Sequence, residues 1–371
     1  MIRPLPDQTP ELLVVVDTEE EFDWKGPFSR TQVSTRSVQA QHHAQAIYDR
    51  LEVTPTYVIG YPVAQDPVAV SYLRRLMEEG RAEIGAHLHP WVTPPHHETV
   101  SPRNSYQCNL PPKLERAKIE VLTEAIESAF GRRPTVFKAG RHGFGPNTAR
   151  VIADLGYQVD CSLLPHNDLR ADGGPDFRRV PDQPHWLEQG GRVLEVPATT
   201  GFIGRAPGLG DTFPWLFDTA ASARLHLPGM LSRSGFVARS RLTPEGVPAA
   251  EQCRLLDTLV RSGRRTFSLV YHSPSLAPGN TPYVRSEAEL HRFLATIEDV
   301  LTHFRDVIGG RFTTLTGVHA RMNGGPGAGT QFRAHPDPDS EPVRLKRPDP
   351  QSELGPRAQF PAAAAGFGAR G

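Results

Sequence analysis

Short apolar runs rich in β-branched residues alternate along this chain with longer segments whose apolar positions recur at helical spacing. The short runs predict strands buried on both faces, and the longer segments predict the helices that cover them. The predicted strands are Leu12–Val16, Pro55–Ile59, Glu83–His87, Pro134–Lys138, Tyr157–Ser162, Val193–Pro197, Thr266–Tyr271 and Phe312–Thr316. The predicted helices are Ser37–Leu51, Val68–Glu79, Lys113–Phe130, Asn147–Leu155, Pro248–Ser262 and Ser286–Ile308.

Alternation of strands and helices predicts a parallel sheet, either open and doubly wound or closed as a barrel. Residues with reactive side chains stand at the carboxyl ends of several different predicted strands. A closed ring brings many strand ends around one point, whereas an open sheet concentrates its site at one switch point. We therefore predict an α/β fold of the barrel type over residues 11–320.

The two ends of the chain do not share this pattern. Residues 1–10 precede the first predicted strand, and we predict that they are flexible. From Met322 onward the chain is dominated by Gly, Pro, Ala and Arg, with almost no apolar periodicity. This composition predicts a disordered tail over residues 321–371.

Composition and charge exclude several classes of partner. Lys and Arg together number 41, as do Asp and Glu, so an electrostatic basis for nucleic-acid binding is missing. The three cysteines are scattered, which indicates no disulfide framework and suits a reducing compartment. The first apolar run is too short for a signal peptide, and none reaches the roughly 18 to 20 residues of a membrane span. We predict a cytoplasmic protein without a membrane span.

The first predicted strand leads directly into a group of acidic residues. Asp17 ends the apolar run Leu12–Val16, which would hold its carboxylate rigidly at the mouth of a barrel. The alternative for Asp17 is the capping of a turn, and we favour the functional role. For Glu20 and Glu21 a solvated loop is an equally good interpretation.

Two histidines at the end of the third predicted strand are the strongest signal of a metal site. His87 and His89 are two residues apart, so on a strand both side chains face the same way and can approach one cation. Pro90 then ends the strand. A single histidine would more often be structural, but this pair beside Asp17 predicts a site with coordination positions left open, as hydrolysis requires.

Three further residues complete the predicted site. Arg141 follows another strand in a glycine-rich segment, and beside Asp17 it would keep that carboxylate ionised. Its alternative, a guanidinium that covers the start of a helix, stays open. Asp160 and His272 stand near the ends of two more strands, and a histidine held by a carboxylate is a natural general acid because its pKa rises.

In this order, the motifs resemble those of the polysaccharide deacetylase superfamily (NodB-like, carbohydrate esterase family 4), and within it the WalW-like branch. The resemblance runs from about Glu11 to Val318 and implies a distorted (β/α)7-type barrel. It implies roles for the following residues: Asp17 as catalytic base, Glu19 and His87 as metal ligands, Arg141 as the residue that tunes the base, Asp160 as the aspartate of the fourth motif, and His272 as acid.

This chain departs from the family pattern at two places. The family's second metal histidine lies four residues after the first, where this chain has Trp91, so His89 has to take that role. The usual Asp-Asp pair of the first motif is replaced by Asp17-Thr18-Glu19, so a longer carboxylate has to reach the ion.

The resemblance implies a metal-dependent hydrolase of non-peptide carbon–nitrogen bonds, which removes an N-acetyl group from a sugar or glycan precursor with the aid of zinc or another divalent metal. Two alternatives stay open. One is a metal-free amide hydrolase that acts on a small cyclic ureide, which the replacement at Trp91 allows. The other is a catalytically silent, carbohydrate-binding barrel, against which the presence of both an acid and a base argues.

Overall fold

The computed structural model describes residues 9–187, 192–212, 217, 230 and 234–324. Its strands are β1 (Glu11–Thr18), β2 (Thr56–Ile59), β3 (Glu83–Leu88), β4 (Val136–Ala139), β5 (Val159–Asp160), β6 (His185–Trp186), β7 (Leu194–Glu195), β8 (Thr200–Ile203), β9 (Ala238–Arg241), β10 (Thr266–His272) and β11 (Arg311–Phe312). Its α-helices are α1 (Gln41–Leu51), α2 (Tyr61–Gln65), α3 (Pro67–Glu78), α4 (Pro112–Phe130), α5 (Pro146–Asp154), α6 (Gly208–Thr212), α7 (Ala249–Arg261), α8 (Glu287–Thr302) and α9 (Leu315–Met322).

Most of the strands form one curled parallel sheet. They follow one another in the order β10, β1, β2, β3, β4, β5, β7 and β6, and β11 pairs with the start of β1. Only β6 runs antiparallel to its neighbour in this sheet. In a flat sheet, β1 and β4 would be about 14 Å apart, at three strand spacings. The Lys138 ammonium of β4 nevertheless contacts Asp17 of β1, so the sheet must curl around its own interior.

The predicted α/β barrel fold class is confirmed, but hydrogen bonding between the described strands does not close the sheet into a complete ring. Among the described strands, β10 and β7 lie at opposite parts of the sheet and do not pair. Thr199 lies beside this gap, where its Oγ1 accepts a 2.8 Å hydrogen bond from the backbone N–H of Ser268 in β10. β8 begins at the next residue and pairs antiparallel with β9, and the sequence predicted neither strand.

Alternate residues of each central strand face two different cores. In β1, Leu13 and Val15 belong to an inner core, together with Leu315 and Val318 of α9, while the residues between them pack outward in the core shared with the covering helices. The same alternation carries Asp17 onto the inner face at the carboxyl end of β1. Apolar packing below and open strand ends above therefore place polar side chains at one mouth of the half-barrel.

Each predicted strand and helix before residue 309 overlaps an element of the structure, whereas the short elements α2, β6, β8, α6 and β9 were not predicted. The strand predicted at Phe312–Thr316 is wrong, since β11 ends at Phe312 and α9 begins at Leu315. That helix extends to Met322, two residues past the predicted boundary at 320, and the rest of the predicted disordered tail, 325–371, lies outside the described residues, as does 1–8 of the predicted flexible N-terminus. No helix in the described ranges is long and apolar enough to cross a membrane.

Candidate active site

Asp17 and Lys138 form a buried ion pair at the mouth of the half-barrel. The Lys138 ammonium donates to both oxygens of Asp17, over 2.5 and 2.6 Å, and both side chains are almost fully buried. Burial alone would raise the pKa of Asp17, but Lys138, with help from His87 and His272, holds that pKa well below its ordinary value. Asp17 is therefore a carboxylate, ready to accept a proton.

His272 lies beside Asp17 and is held from behind by another carboxylate. The parallel register places Asp17 directly opposite His272, and Nε2 of His272 is 3.7 Å from Oδ2 of Asp17. Nδ1 of His272 donates to Glu245 over 2.7 Å. Burial opposes the charge, but Glu245, followed by Glu19 and Asp17, raises the pKa of His272 to about 9. His272 is therefore an imidazolium near neutral pH, with about 30% of its side chain exposed.

Glu19, His87 and His89 form a compact group at the same mouth of the half-barrel. One oxygen of Glu19, Oε2, lies 3.4 Å from Nε2 of His87 and 3.4 Å from Nε2 of His89. All three side chains are buried, and burial lowers the pKa of His87 well below its usual value, which keeps this ring neutral. These are the residues that the sequence predicted as metal ligands, and the structure brings them together.

The donor set fits a divalent ion on two grounds. Ligands about 2.0 to 2.2 Å from a tetrahedral ion are about 3.4 Å from one another, which matches the two measured separations. Both ring nitrogens of His87 and Oε1 of Glu19 are also buried without a hydrogen-bond partner among the described residues. Unpaired buried polar atoms are costly, and a cation would satisfy one ring nitrogen of His87 together with the Glu19 carboxylate. Two nitrogens and one carboxylate are the protein ligands of many catalytic zinc sites.

Arg141 does not make the contact predicted for it. Its guanidinium pairs with Asp172, donates to Oγ of Ser105 over 2.6 Å and lies 4.2 Å from the ring centre of Tyr106. A cation does hold Asp17, as predicted, but that cation is Lys138 and not Arg141. The backbone of Arg141 is left-handed, with φ of 52°, which turns the side chain away from the line of β4.

Asp160 likewise does not hold His272. It is fully buried, accepts a 2.7 Å hydrogen bond from Oγ of Ser162, and shares a hydrogen bond with Glu195, while Glu245 supplies the carboxylate behind His272. Burial raises the pKa of Asp160 and raises that of Glu195 well above its usual range, which keeps the proton between them on Glu195. Alternation along β5 explains the error: Val159 and Cys161 belong to the inner core, so Asp160, between them, faces the other way.

The sequence contained a signal for one of the missed residues and none for the other. Lys138 is a charged residue inside an apolar strand, two positions after the inward-facing Val136, so the alternation of β4 already points it at the barrel interior. Glu245 lies in an irregular segment between β9 and α7, where no periodicity predicts the direction of a side chain. For Glu20 a solvated loop was an equally good interpretation of the sequence, but the side chain is fully buried beside His89.

The arrangement combines three chemical capacities within a few ångströms. Asp17 can accept a proton, His272 can donate one, and the Glu19, His87 and His89 group can hold a cation. Gly140 keeps the backbone close to this group, because a Cβ there would lie 2.4 Å from Cδ2 of His89. A base, an acid and an electrophile converging on one mouth are the parts of a hydrolytic site.

Comparison with known proteins gives matches of fold only. No family model matches the chain, and no curated protein matches it. Among solved structures, a protein described as a polysaccharide deacetylase from Mycobacterium smegmatis is 18% identical, with a TM-score of 0.44, and the match covers 80% of this chain and 87% of that one. Another so described, from Pseudomonas aeruginosa PAO1, is 14% identical, with a TM-score of 0.47 and coverage of 84% and 90%.

Puue allantoinase is also similar, at 15% identity and a TM-score of 0.48, over 85% of this chain and 92% of that one. The similar structures thus include polysaccharide deacetylases, the family whose motifs the sequence resembles, and they do not distinguish the WalW-like branch. At these scores the similarity concerns the general path of the chain. The function proposed below therefore rests on the side chains of the site.

Proposed function

We propose that this protein is a metal-dependent hydrolase of non-peptide carbon–nitrogen bonds that removes an N-acetyl group from a sugar or a glycan precursor. The observation that carries the proposal is the 3.7 Å approach of Nε2 of His272 to the Asp17 carboxylate, next to the Glu19, His87 and His89 group. An ionised base and a protonated acid on the same mouth suit the cleavage of an amide, in which one proton is taken up and one is given.

In this proposal, Glu19, His87 and His89 hold the ion, zinc or another divalent metal. When bound, such an ion supplies Lewis acidity toward the carbonyl of the acetamido group. Asp17 accepts the proton of the attacking water, since the Lys138 ammonium 2.5 Å away keeps it ionised until then. The same ion pair fixes the direction of the carboxylate, because both of its oxygens accept from Lys138.

His272 acts at the other end of the reaction. Its Nε2 proton passes to the departing amine nitrogen, which otherwise would leave as a poor, anionic group. Glu245 remains hydrogen-bonded to Nδ1 and orients the ring, while the backbone N–H of His272 and Oγ of Ser275 also donate to Glu245 and hold it in place. Glu245 thus takes the orienting role that the sequence had assigned to Asp160.

Metal analysis tests the proposal most directly. We expect about one tightly bound divalent ion per chain in the purified protein, and its loss in His87→Ala and His89→Ala. His97→Ala is the matched control, because His97 lies exposed in the loop after β3 and should leave the metal content unchanged. Acetate release from N-acetylated chito-oligosaccharides, abolished by a chelator and restored by zinc, completes the test.

The outcomes separate the alternatives. Amide hydrolysis of a small cyclic ureide that a chelator leaves intact would favour a metal-free hydrolase. Binding of oligosaccharides with no turnover by the metal-loaded protein would favour a silent, carbohydrate-binding barrel. A protein without metal and without activity on either substrate class would contradict the proposed function. The cytoplasmic location stays a prediction, which fractionation of the source cells tests.

A further inference from the structure

Glu20 is a fully buried carboxylate directly behind one of the histidines of the metal group. Its Oε1 accepts a 2.8 Å hydrogen bond from Nδ1 of His89, and the two side chains are exposed by 0% and 3%. Its other oxygen, Oε2, has no hydrogen-bond partner among the described residues and faces Gly60, where a Cβ would lie 3.5 Å away. Among the described residues, His89 therefore supplies the hydrogen bond to this buried carboxyl group.

This hydrogen bond determines which nitrogen of His89 carries a proton in the neutral ring. A carboxylate accepts and cannot donate, so Nδ1 of His89 must bear the hydrogen and Nε2 must present its lone pair. Nε2 is the atom that lies 3.4 Å from Oε2 of Glu19. The hydrogen bond from Nδ1 to Glu20 therefore leaves the lone pair of Nε2 free on the side of the ring that faces Glu19.

His87 provides an internal contrast. Neither of its ring nitrogens has a hydrogen-bond partner among the described residues, so nothing there fixes its tautomer in the same manner. His89 is fixed from three directions: by Glu20, by the Trp91 ring stacked 4.1 Å from its own at 23°, and by the close backbone of Gly140. The histidine in the unusual position, two residues after His87, is the one with the most support.

We propose that Glu20 is a positioning residue that makes His89 a metal ligand, by fixing its tautomer and ring orientation. The inference rests on the proposed metal site and deepens it. Carboxylates behind metal-bound histidines act in this manner elsewhere, and their loss typically lowers metal affinity roughly 10- to 100-fold. Trp91 occupies the position four residues after His87, and its ring stacks on that of His89.

The experiment measures zinc affinity by competition with a chromophoric chelator in the wild type, Glu20→Gln, Glu20→Ala and the control Glu21→Gln. Glu21 is the adjacent carboxylate, but it accepts from Oγ of Ser34 and the backbone N–H of Ser37, and from no histidine in the described part of the chain. We expect a loss of about 10- to 100-fold in the two Glu20 variants, with Glu20→Ala the weaker binder, and no change in Glu21→Gln. Far-UV circular dichroism and thermal unfolding of the metal-free proteins confirm that each variant is folded.

A second measurement does not depend on a variant that folds. The ¹⁵N shifts of the His89 ring in the metal-free wild type report its tautomer, and we expect the hydrogen on Nδ1 whenever the ring is neutral. Equal zinc affinity in the wild type and both Glu20 variants, or a neutral ring with its hydrogen on Nε2, overturns the positioning role alone. A wild type that binds no zinc overturns the proposed function together with this inference, so the two failures are distinguishable.

Discussion

Removal of the charge behind His272 should change its protonation at the pH at which a hydrolase works. Glu245→Gln keeps the length of the side chain but removes the anion that accepts from Nδ1 of His272 over 2.7 Å. Burial opposes protonation of His272, and Glu245 is the largest of the contributions that favour it, ahead of Glu19 and Asp17. Without Glu245, burial has less to oppose it, and the pKa of His272 must fall.

The structure sets the size of this effect. The rise in the pKa of His272 from 6.5 to about 9 corresponds to about 3 kcal/mol, at roughly 1.4 kcal/mol per pH unit. Because Glu19 and Asp17 remain, we expect a fall of at least roughly one unit, or about 1.4 kcal/mol, in Glu245→Gln. A general acid works only while it is protonated, so activity should fall at high pH as His272 loses its proton. In Glu245→Gln this fall in activity should occur at a lower pH than in the wild type. A bound cation would lower the pKa in both proteins and leave the direction of the difference unchanged.

The assay is an NMR titration of the imidazole signals in metal-free protein, with His272 assigned through His272→Asn. Glu251→Gln is the control, since Glu251 accepts from Oγ of Ser240 and is not among the carboxylates that raise the pKa of His272. The reasoning is refuted if His272 in the wild type titrates at the ordinary 6.5, or if Glu245→Gln and the wild type titrate together.

Three further predictions concern the same mouth of the half-barrel. Asp17→Asn should lower the rate of acetate release by roughly 10²- to 10⁴-fold with an unchanged circular dichroism spectrum, and full activity would exclude Asp17 as the base. Lys138→Met should lower the free energy of unfolding in urea by about 3 to 5 kcal/mol, because it leaves the buried Asp17 charge unpaired. The double variant with Asp17→Asn should recover part of this loss. If the effects of the two substitutions were strictly additive, the pairing would be contradicted. Gly140→Ala should weaken zinc binding by at least about tenfold, because its Cβ would lie 2.4 Å from both Cδ2 of His89 and the Leu88 carbonyl oxygen, and unchanged affinity would show that His89 has room to shift.

Much of the fold followed from local patterns in the sequence. Buried parallel strands are near-continuous apolar runs, so the runs that became β1, β3 and β10 were recognisable without any knowledge of their partners. Other short strands were not predicted: β6, β8 and β9 have two to four residues each, and none of them forms a continuous apolar run.

Prediction of the site depended on the same alternation. Asp17, His87 and His272 all stand at positions of their strands whose side chains face the inside of the half-barrel. The metal group of Glu19, His87 and His89 was predicted from spacing and resemblance. The same alternation would have argued against a role for Asp160 inside the half-barrel, because its neighbours Val159 and Cys161 belong to the inner core. The expectation that Asp160 holds His272 rested on its position near the end of a strand and did not consider the direction of its side chain.

The sequence by itself determined which residue types stand at the carboxyl ends of the buried strands, because strand period and chain chemistry are local properties. Only the tertiary structure decided which charge meets which. Lys138 reaches Asp17 across 121 positions of sequence because the sheet curls, and Glu245 reaches His272 because an irregular segment returns over the strand end. Neither the curl nor the path of that segment is encoded by neighbouring residues, since both follow from the packing of the whole barrel.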